Sequence, residues 1–432
     1  MDMKKSYFKR FMASILMVFT ILNFTSISTV KAVDNSDDAV IGNEYPIIMV
    51  HGCFGWGSNE AAGLYYWGGQ ESLTKKLTEK GYTVYSPSIG PVSSNWDRAC
   101  ELYTYIVGGT VDYGEFHSKE CGHARYGRSY PGVYKEIGTE DSSGNIKKVH
   151  LIGHSMGGQT IRLLAQLLEN GDPDELEFTT DGNINPLFTG GKSWISSITS
   201  IATPHDGSQE AHIKCDIEPL THQFVAAIAA IKGRKIELGE LNYDFQLDQW
   251  GLRRNPGESC LDYSNKVINS EIWKKTKDLS VWDLSPEEGA REFNSYVKAQ
   301  SDINYFSIAC VNTHEDKLTH FQVPNKNMNP ILVKSSIFMG MYTNNKSGEV
   351  PIDKSWWRND GVVSVISAIS PKVGSTDQMI DYNGNSVKGT WNYLGELDNT
   401  DHIEVCGMKY DREGIEQMYF NVVEMLSALP TE

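Results

Sequence analysis

Val149-His150-Leu151-Ile152-Gly153-His154-Ser155-Met156-Gly157-Gly158-Gln159-Thr160 is the stretch that decides how this chain is read. An apolar, strand-like run from Val149 to Ile152 meets a G-x-S-x-G pentapeptide, and a helix-like run from Thr160 to Leu168 follows. A serine at such a tight strand-to-helix turn projects its hydroxyl away from the sheet. The small residues two before and two after it let neighbouring backbone pass without collision. Five matching letters could arise by chance in a glycine-rich chain of 432 residues, but the flanking strand and helix mark Ser155 as a nucleophile.

A hydroxyl alone attacks poorly, so a histidine must take its proton and a carboxylate must hold that histidine in the right tautomer. With this kind of elbow the partners follow in the order acid, then histidine. His402 is the last histidine of the sequence, and Asp360 stands upstream in Arg358-Asn359-Asp360-Gly361-Val362-Val363, where a polar turn meets an apolar run as at a strand end. Asp401 adjoins His402, but neighbours on an extended segment point to opposite faces. His205 and Asp206 precede any plausible acid and fit a structural turn or a pocket wall better. The developing oxyanion needs backbone donors. Pro46 to Val50 runs into His51-Gly52-Cys53-Phe54-Gly55-Trp56-Gly57, a loop that offers the N–H of Cys53, and Met156 offers the second.

Around this centre, strand-like runs at 46–50, 83–85, 149–152, 195–201 and 305–309 alternate with helical ones. That is the pattern of a mainly parallel sheet covered on both faces, an α/β fold. No linker, repeat or low-complexity tract divides the chain, so residues 44–432 read as one catalytic domain with inserts near 97–128 and 207–248. Lys4, Lys5, Lys9 and Arg10 precede an apolar stretch from Phe11 to Phe24 and a Val30-Lys31-Ala32 site, which predicts a signal peptide over 1–32, export from the cell and a short acidic leader over 33–43. Loss of residues 1–32 removes five basic and one acidic residue and takes the formal charge from -16 to -20. Nucleic acid is a poor partner for such a surface. Any lipid contact must then rest on apolar area, and no later run is long enough to span a bilayer. The seven cysteines are scattered and suggest no disulfide scaffold.

His51-Gly52 with Trp56, Tyr66-Trp67-Gly68-Gly69, Ser94-Asn95-Trp96-Asp97-Arg98-Ala99, Gly108-Gly109-Thr110-Val111-Asp112-Tyr113-Gly114, the elbow itself, Ala202-Thr203-Pro204-His205-Asp206-Gly207 and Asp248-Gln249-Trp250-Gly251-Leu252 resemble the secreted lipases of bacilli and staphylococci, and the G-H-S-M-G form resembles the staphylococcal branch. The resemblance spans nearly the whole mature chain. It implies an α/β-hydrolase fold, cleavage of triacylglycerols and other carboxylic esters at a lipid–water interface, a helical lid and a zinc subdomain.

On residues alone, His117 and His123 are a loop pair that is more often hydrogen-bonded surface than ligand. The resemblance places zinc ligands on Asp97, His117, His123 and Asp248, with Cys121 between the histidines as a competitor. Two imidazoles and two carboxylates suit a closed, structural zinc site. The resemblance also offers Glu404 to calcium, but the later positions read Lys409 and Tyr410, and only a shifted Asp411 could replace them. The run Phe224 to Ile231 places Phe224, Ile228 and Ile231 on one helical face; by position it matches the lid, with Phe224 and Ile228 toward the acyl pocket. The same machinery would serve a carboxylesterase, a polyester hydrolase or a phospholipase, and a non-catalytic secreted binding protein is the remaining class.

Overall fold

The computed structural model describes residues 42–58, 60–180, 182–212, 243–408 and 413–431. The expected signal peptide, most of the acidic leader, the lid residues Phe224 and Ile228, and Asp411 lie outside these residues. In chain order the strands are β1 (Ile47–Val50), β2 (Val84–Tyr85), β3 (Gly109–Asp112), β4 (Tyr126–Tyr130), β5 (Val149–His154), β6 (Ile195–Ile201), β7 (Asn304–Val311), β8 (Thr313–Glu315), β9 (Gln322–Pro324), β10 (Met379–Asp381) and β11 (Trp391–Asp398). Seven of them form one sheet in the order β10-β11-β7-β6-β5-β1-β2, and every pairing in it is parallel. The hairpins β3-β4 and β8-β9 stand apart from it.

The strand sequences explain why the sheet is covered on both faces. All residues of β5, β6 and β7 are buried, as two-sided cover requires. Alternate residues feed opposite cores: Met49, Ile152, Ile201 and Phe306 join one cluster, while Ile48, Val50, Leu151, Ile198 and Tyr305 join the other. Helix Asn95–Val107 and helix Met156–Asn170 pack on the second face through Leu102, Ile106, Leu163, Leu164 and Leu167. Ser94 caps the first of these by accepting the Asp97 N–H. Truncating a side chain such as Leu164 to alanine would cost about 2–5 kcal/mol, because close-packed surroundings do not collapse into the space.

The sequence pattern reveals the five neighbouring strands from β7 to the β2 edge but not β10 and β11 at the other side. The three residues of β10 are all exposed to solvent in part, and β11 mixes polar residues with a bulge near Gly395, so neither carries a clean apolar run. The run after Asp360 differs from expectation in another way. Val362 and Val363 are not a strand but lead into a short helix, Val365–Ile369.

A candidate active site at the strand ends

The carboxyl ends of β1, β5 and β7 converge at the top of the sheet, where crevices in open parallel sheets form. β5 ends at His154, and helix Met156–Asn170 begins immediately after Ser155. Ser155 is therefore held at φ 55° and ψ −132°, a left-handed conformation that L-residues avoid unless the surroundings impose it. Its neighbours must be small: a Cβ on Gly157 would lie 2.3 Å from the carbonyl oxygen of Val50.

Ser155 Oγ lies 2.9 Å from His402 Nε2, and His402 Nδ1 lies 2.7 Å from Asp360 Oδ2. Asp360 is almost fully buried and its other oxygen accepts the N–H groups of Val362 and Val363, at 2.9 and 2.7 Å. The His402 N–H donates to the Asp360 carbonyl at 3.0 Å, so backbone and side chain fix the pair together. Asp401 points elsewhere: it accepts from Ile403, Glu404 and Asn329 and closes the turn. His205 is buried between Ser200 and Arg162, and Asp206 accepts from Asn294, Lys372 and Val373, both as parts of the core.

The loop after β1 runs against Ser155, for a Cβ on Gly52 would meet Ser155 Cβ at 2.6 Å and Oγ at 3.1 Å. Met156 opens its helix, so its N–H has no intrahelical partner. Among the described residues no protein acceptor meets the Cys53 N–H. Arg98 clamps this region: its guanidinium donates to the carbonyls of His51 and Gly90, at 2.5 and 2.7 Å, and to Thr160 Oγ1 on the elbow helix at 2.9 Å. Burial, with the Arg98 charge adding to it, lowers the His51 pKa to about 3, so this imidazole is a neutral brace for the loop.

The histidine-rich insert builds a second centre. Hairpin β3-β4 encloses helix Glu115–Cys121, and His117 Nε2 lies 3.4 Å from Asp97 Oδ1 and 3.3 Å from Asp278 Oδ1. His123 Nε2 lies 3.8 Å from Asp97 Oδ1 and 3.2 Å from Asp278 Oδ2. Asp97 Oδ1, His117 Nε2, His123 Nε2 and Asp278 Oδ2 are all buried without a hydrogen-bond partner. Buried polar atoms are seldom left so, and four of them facing one point have the composition of a metal ligand set. Cys121 Sγ belongs to the same group, its sulfur within 4.8 Å of ligand atoms of His117, His123 and Asp278 and 3.8 Å from His117 Nδ1, so it stands beside Asp97 as a further candidate ligand.

Asp248 does not belong to this set, contrary to the sequence expectation. It forms an ion pair with Arg128 at 2.9 Å, and Asp278 occupies the place assigned to it. The reason is local: Asp248 sits in a 3-10 turn against β4, where Arg128 offers its charge at close range. Asp248's neighbour Gln249 does reach the centre, donating to Asp97 Oδ2 at 2.6 Å. Nothing in Lys277-Asp278-Leu279 marks Asp278 as a ligand in sequence, and only the fold brings it there. Glu404 is not part of the metal-binding group found among the described residues, and positions 409–411, expected beside it, lie outside them.

A family model described as lipase-like, C-terminal domain, matches residues 43–428. Lipase 1 of Staphylococcus aureus is 37% identical over 394 residues, which cover 88% of this chain and 54% of that protein. The chain thus spans about half the length of the curated relatives it matches. Among solved structures, EstA from Clostridium botulinum superimposes with a TM-score of 0.84 at 45% identity, covering 92% of this chain and 90% of that one. Lipase 1 from Pelosinus fermentans gives 0.80 at 48% identity, covering 90% and 100%. On these matches, the chain belongs to the staphylococcal-type bacterial lipase family and has its α/β-hydrolase fold.

Proposed function

We propose that the protein is a secreted serine hydrolase of carboxylic esters, acting on triacylglycerols through Ser155, His402 and Asp360. The observation that carries the reading is the continuous hydrogen-bonded line from Ser155 Oγ through both nitrogens of His402 to Asp360. His402 Nε2 takes the hydroxyl proton as Oγ attacks the ester carbonyl. The N–H groups of Cys53 and Met156 face the oxygen on which negative charge then forms, and such a donor is worth about 3 kcal/mol in the transition state. The same proton passes to the departing alcohol, and water repeats the sequence on the acyl-enzyme, returning the acid and free Ser155. Asp360 fixes the tautomer and offsets the imidazolium charge.

Asp97, His117, His123 and Asp278 would hold a zinc ion. Four protein ligands leave no open position, so the ion would brace the insert rather than activate water. Its reach extends to the reacting centre through Arg98, the residue after Asp97, which grips the oxyanion loop and the elbow helix. Among the described residues no helix is long and apolar enough to cross a membrane. Export rests on the amino-terminal sequence, and contact with substrate is transient, at a lipid–water interface.

A series running from soluble butyrate esters to emulsified long-chain triacylglycerols tests the substrate class. Turnover of the emulsions is expected. Activity confined to short soluble esters would identify a carboxylesterase instead, and preference for phospholipid vesicles a phospholipase.

A further inference from the structure

The oxyanion loop is fixed by a tyrosine far from it in the reaction scheme. Gly52 immediately precedes the donor Cys53, and its own N–H is spent on the hydroxyl of Tyr66, at 2.9 Å. That hydroxyl also lies 2.6 Å from Nδ1 of His154, the residue before the nucleophile. Cys406, four residues after the catalytic histidine, brings its Sγ to 3.3 Å from the same nitrogen. One phenol oxygen thus stands where the oxyanion loop, the elbow and the histidine loop meet. The ring is held by edge-on contacts with Trp56 and Trp67, both with centroids 5.2 Å away. A second tie joins the histidine loop to the same strip of chain, the Gly68 N–H donating to the Cys406 carbonyl at 2.7 Å.

The proton order in this line follows from the chemistry of its members. Burial, with the neighbouring His402 adding to it, holds the His154 imidazole well below its usual range, so it is neutral and one ring nitrogen accepts. Burial also raises the Tyr66 phenol well above its usual range, so it keeps its proton. Gly52 N–H can only donate, so the Tyr66 oxygen accepts it; with the His154 proton on Nε2, Nδ1 accepts from the Tyr66 hydroxyl, and the Cys406 thiol shares the same cluster. Without the hydroxyl, a buried N–H next to the oxyanion donor would lose its partner, and the loop would shift to find another.

We propose that Tyr66 is a positioning residue for ester hydrolysis, its hydroxyl holding the Gly52-Cys53 peptide at the distance from Ser155 that the oxyanion requires. This rests on the hydrolase reading above. It acts through backbone placement, so it should influence the tetrahedral state and leave ground-state binding alone.

The test uses Tyr66→Phe in the full chain with p-nitrophenyl butyrate. We expect kcat to fall about tenfold with KM within about twofold, and the inhibition constant of an alkyl trifluoromethyl ketone, which forms a tetrahedral oxyanion on serine, to rise about tenfold in step. His154→Asn, whose amide oxygen replaces Nδ1 as acceptor, should retain more kcat than His154→Leu. A kcat within about twofold of the parent, a loss confined to KM, or equal losses in the two His154 variants would overturn the proposal. End-point titration of Ser155 with diethyl p-nitrophenyl phosphate separates the two levels. Complete labelling of parent and Tyr66→Phe shows the nucleophile intact, whereas an unlabelled parent overturns the hydrolase reading and this proposal with it.

Discussion

Asp360 and Asp401 show how much a single side chain's surroundings decide. Both are buried carboxylates near His402, yet Asp360 Oδ2 faces the imidazole and Asp401 spends its oxygens on three backbone N–H groups. Replacing Asp360 with asparagine keeps the volume but favours the wrong tautomer of His402, so kcat on a soluble ester should drop by about 10⁴-fold with little change in KM. Asp401→Asn should cost mainly stability; a loss of kcat matching that of Asp360→Asn in steady-state assays would reverse the assignment. Ser155, His402 and Asp360, the proposed triad, can be picked from the sequence because each has a local context and the order along the chain narrows the choice. Asp278 could not, because a lone aspartate becomes a ligand only when the fold sets it beside His117 and His123.

At the scale of elements, the insert built on β3-β4 makes the correction from Asp248 to Asp278 testable. Asp278→Asn should lower bound zinc well below one equivalent in metal analysis. Asp248→Asn should leave it near one, because it breaks pairs with Arg128 and Arg253 rather than a contact to the metal site. The reverse pattern would restore the original ligand set. Protons report on the same site. Burial lowers the basicity of His117 and His123, but the adjacent Asp278 and Asp97 outweigh it, holding His117 well above its usual range and His123 at about 10 without metal. Below those values the empty site carries protons that zinc must displace, so affinity should rise with pH. Calorimetry in buffers of different ionisation enthalpy should show net proton release near neutral pH; a heat independent of the buffer would contradict this account. Gly157→Ala tests the elbow in turn: with the Val50 carbonyl 2.3 Å from the added carbon, the turn must open and activity should vanish even if the chain still folds. Full activity in a folded variant would mean that the elbow tolerates what this geometry forbids.

Across the whole molecule, the parallel sheet was visible where strands are buried on both faces, at β1, β5, β6 and β7, and invisible at β10 and β11, where exposure and a bulge erase the apolar pattern. The residues of the proposed triad can be picked from the sequence although 247 positions separate Ser155 from His402, and sheet topology brings their distant elements to one crevice. Metal should matter to this assembly more than to the reaction. A ligand at about 1,000 times its dissociation constant stabilises by about 4 kcal/mol. Chelation should therefore lower Tm by about 5 °C or more, while turnover at mild temperature changes less. A collapse of turnover at unchanged Tm would contradict a bracing role. The central claim, that Ser155 is an activated nucleophile, is tested most directly by incubating the parent and Ser155→Ala with an alkyl phosphonate ester in detergent and mapping the adduct by mass spectrometry. The account predicts one adduct per parent chain, on Ser155, and none in the variant. An unlabelled parent, or a variant that still hydrolyses esters, would contradict it.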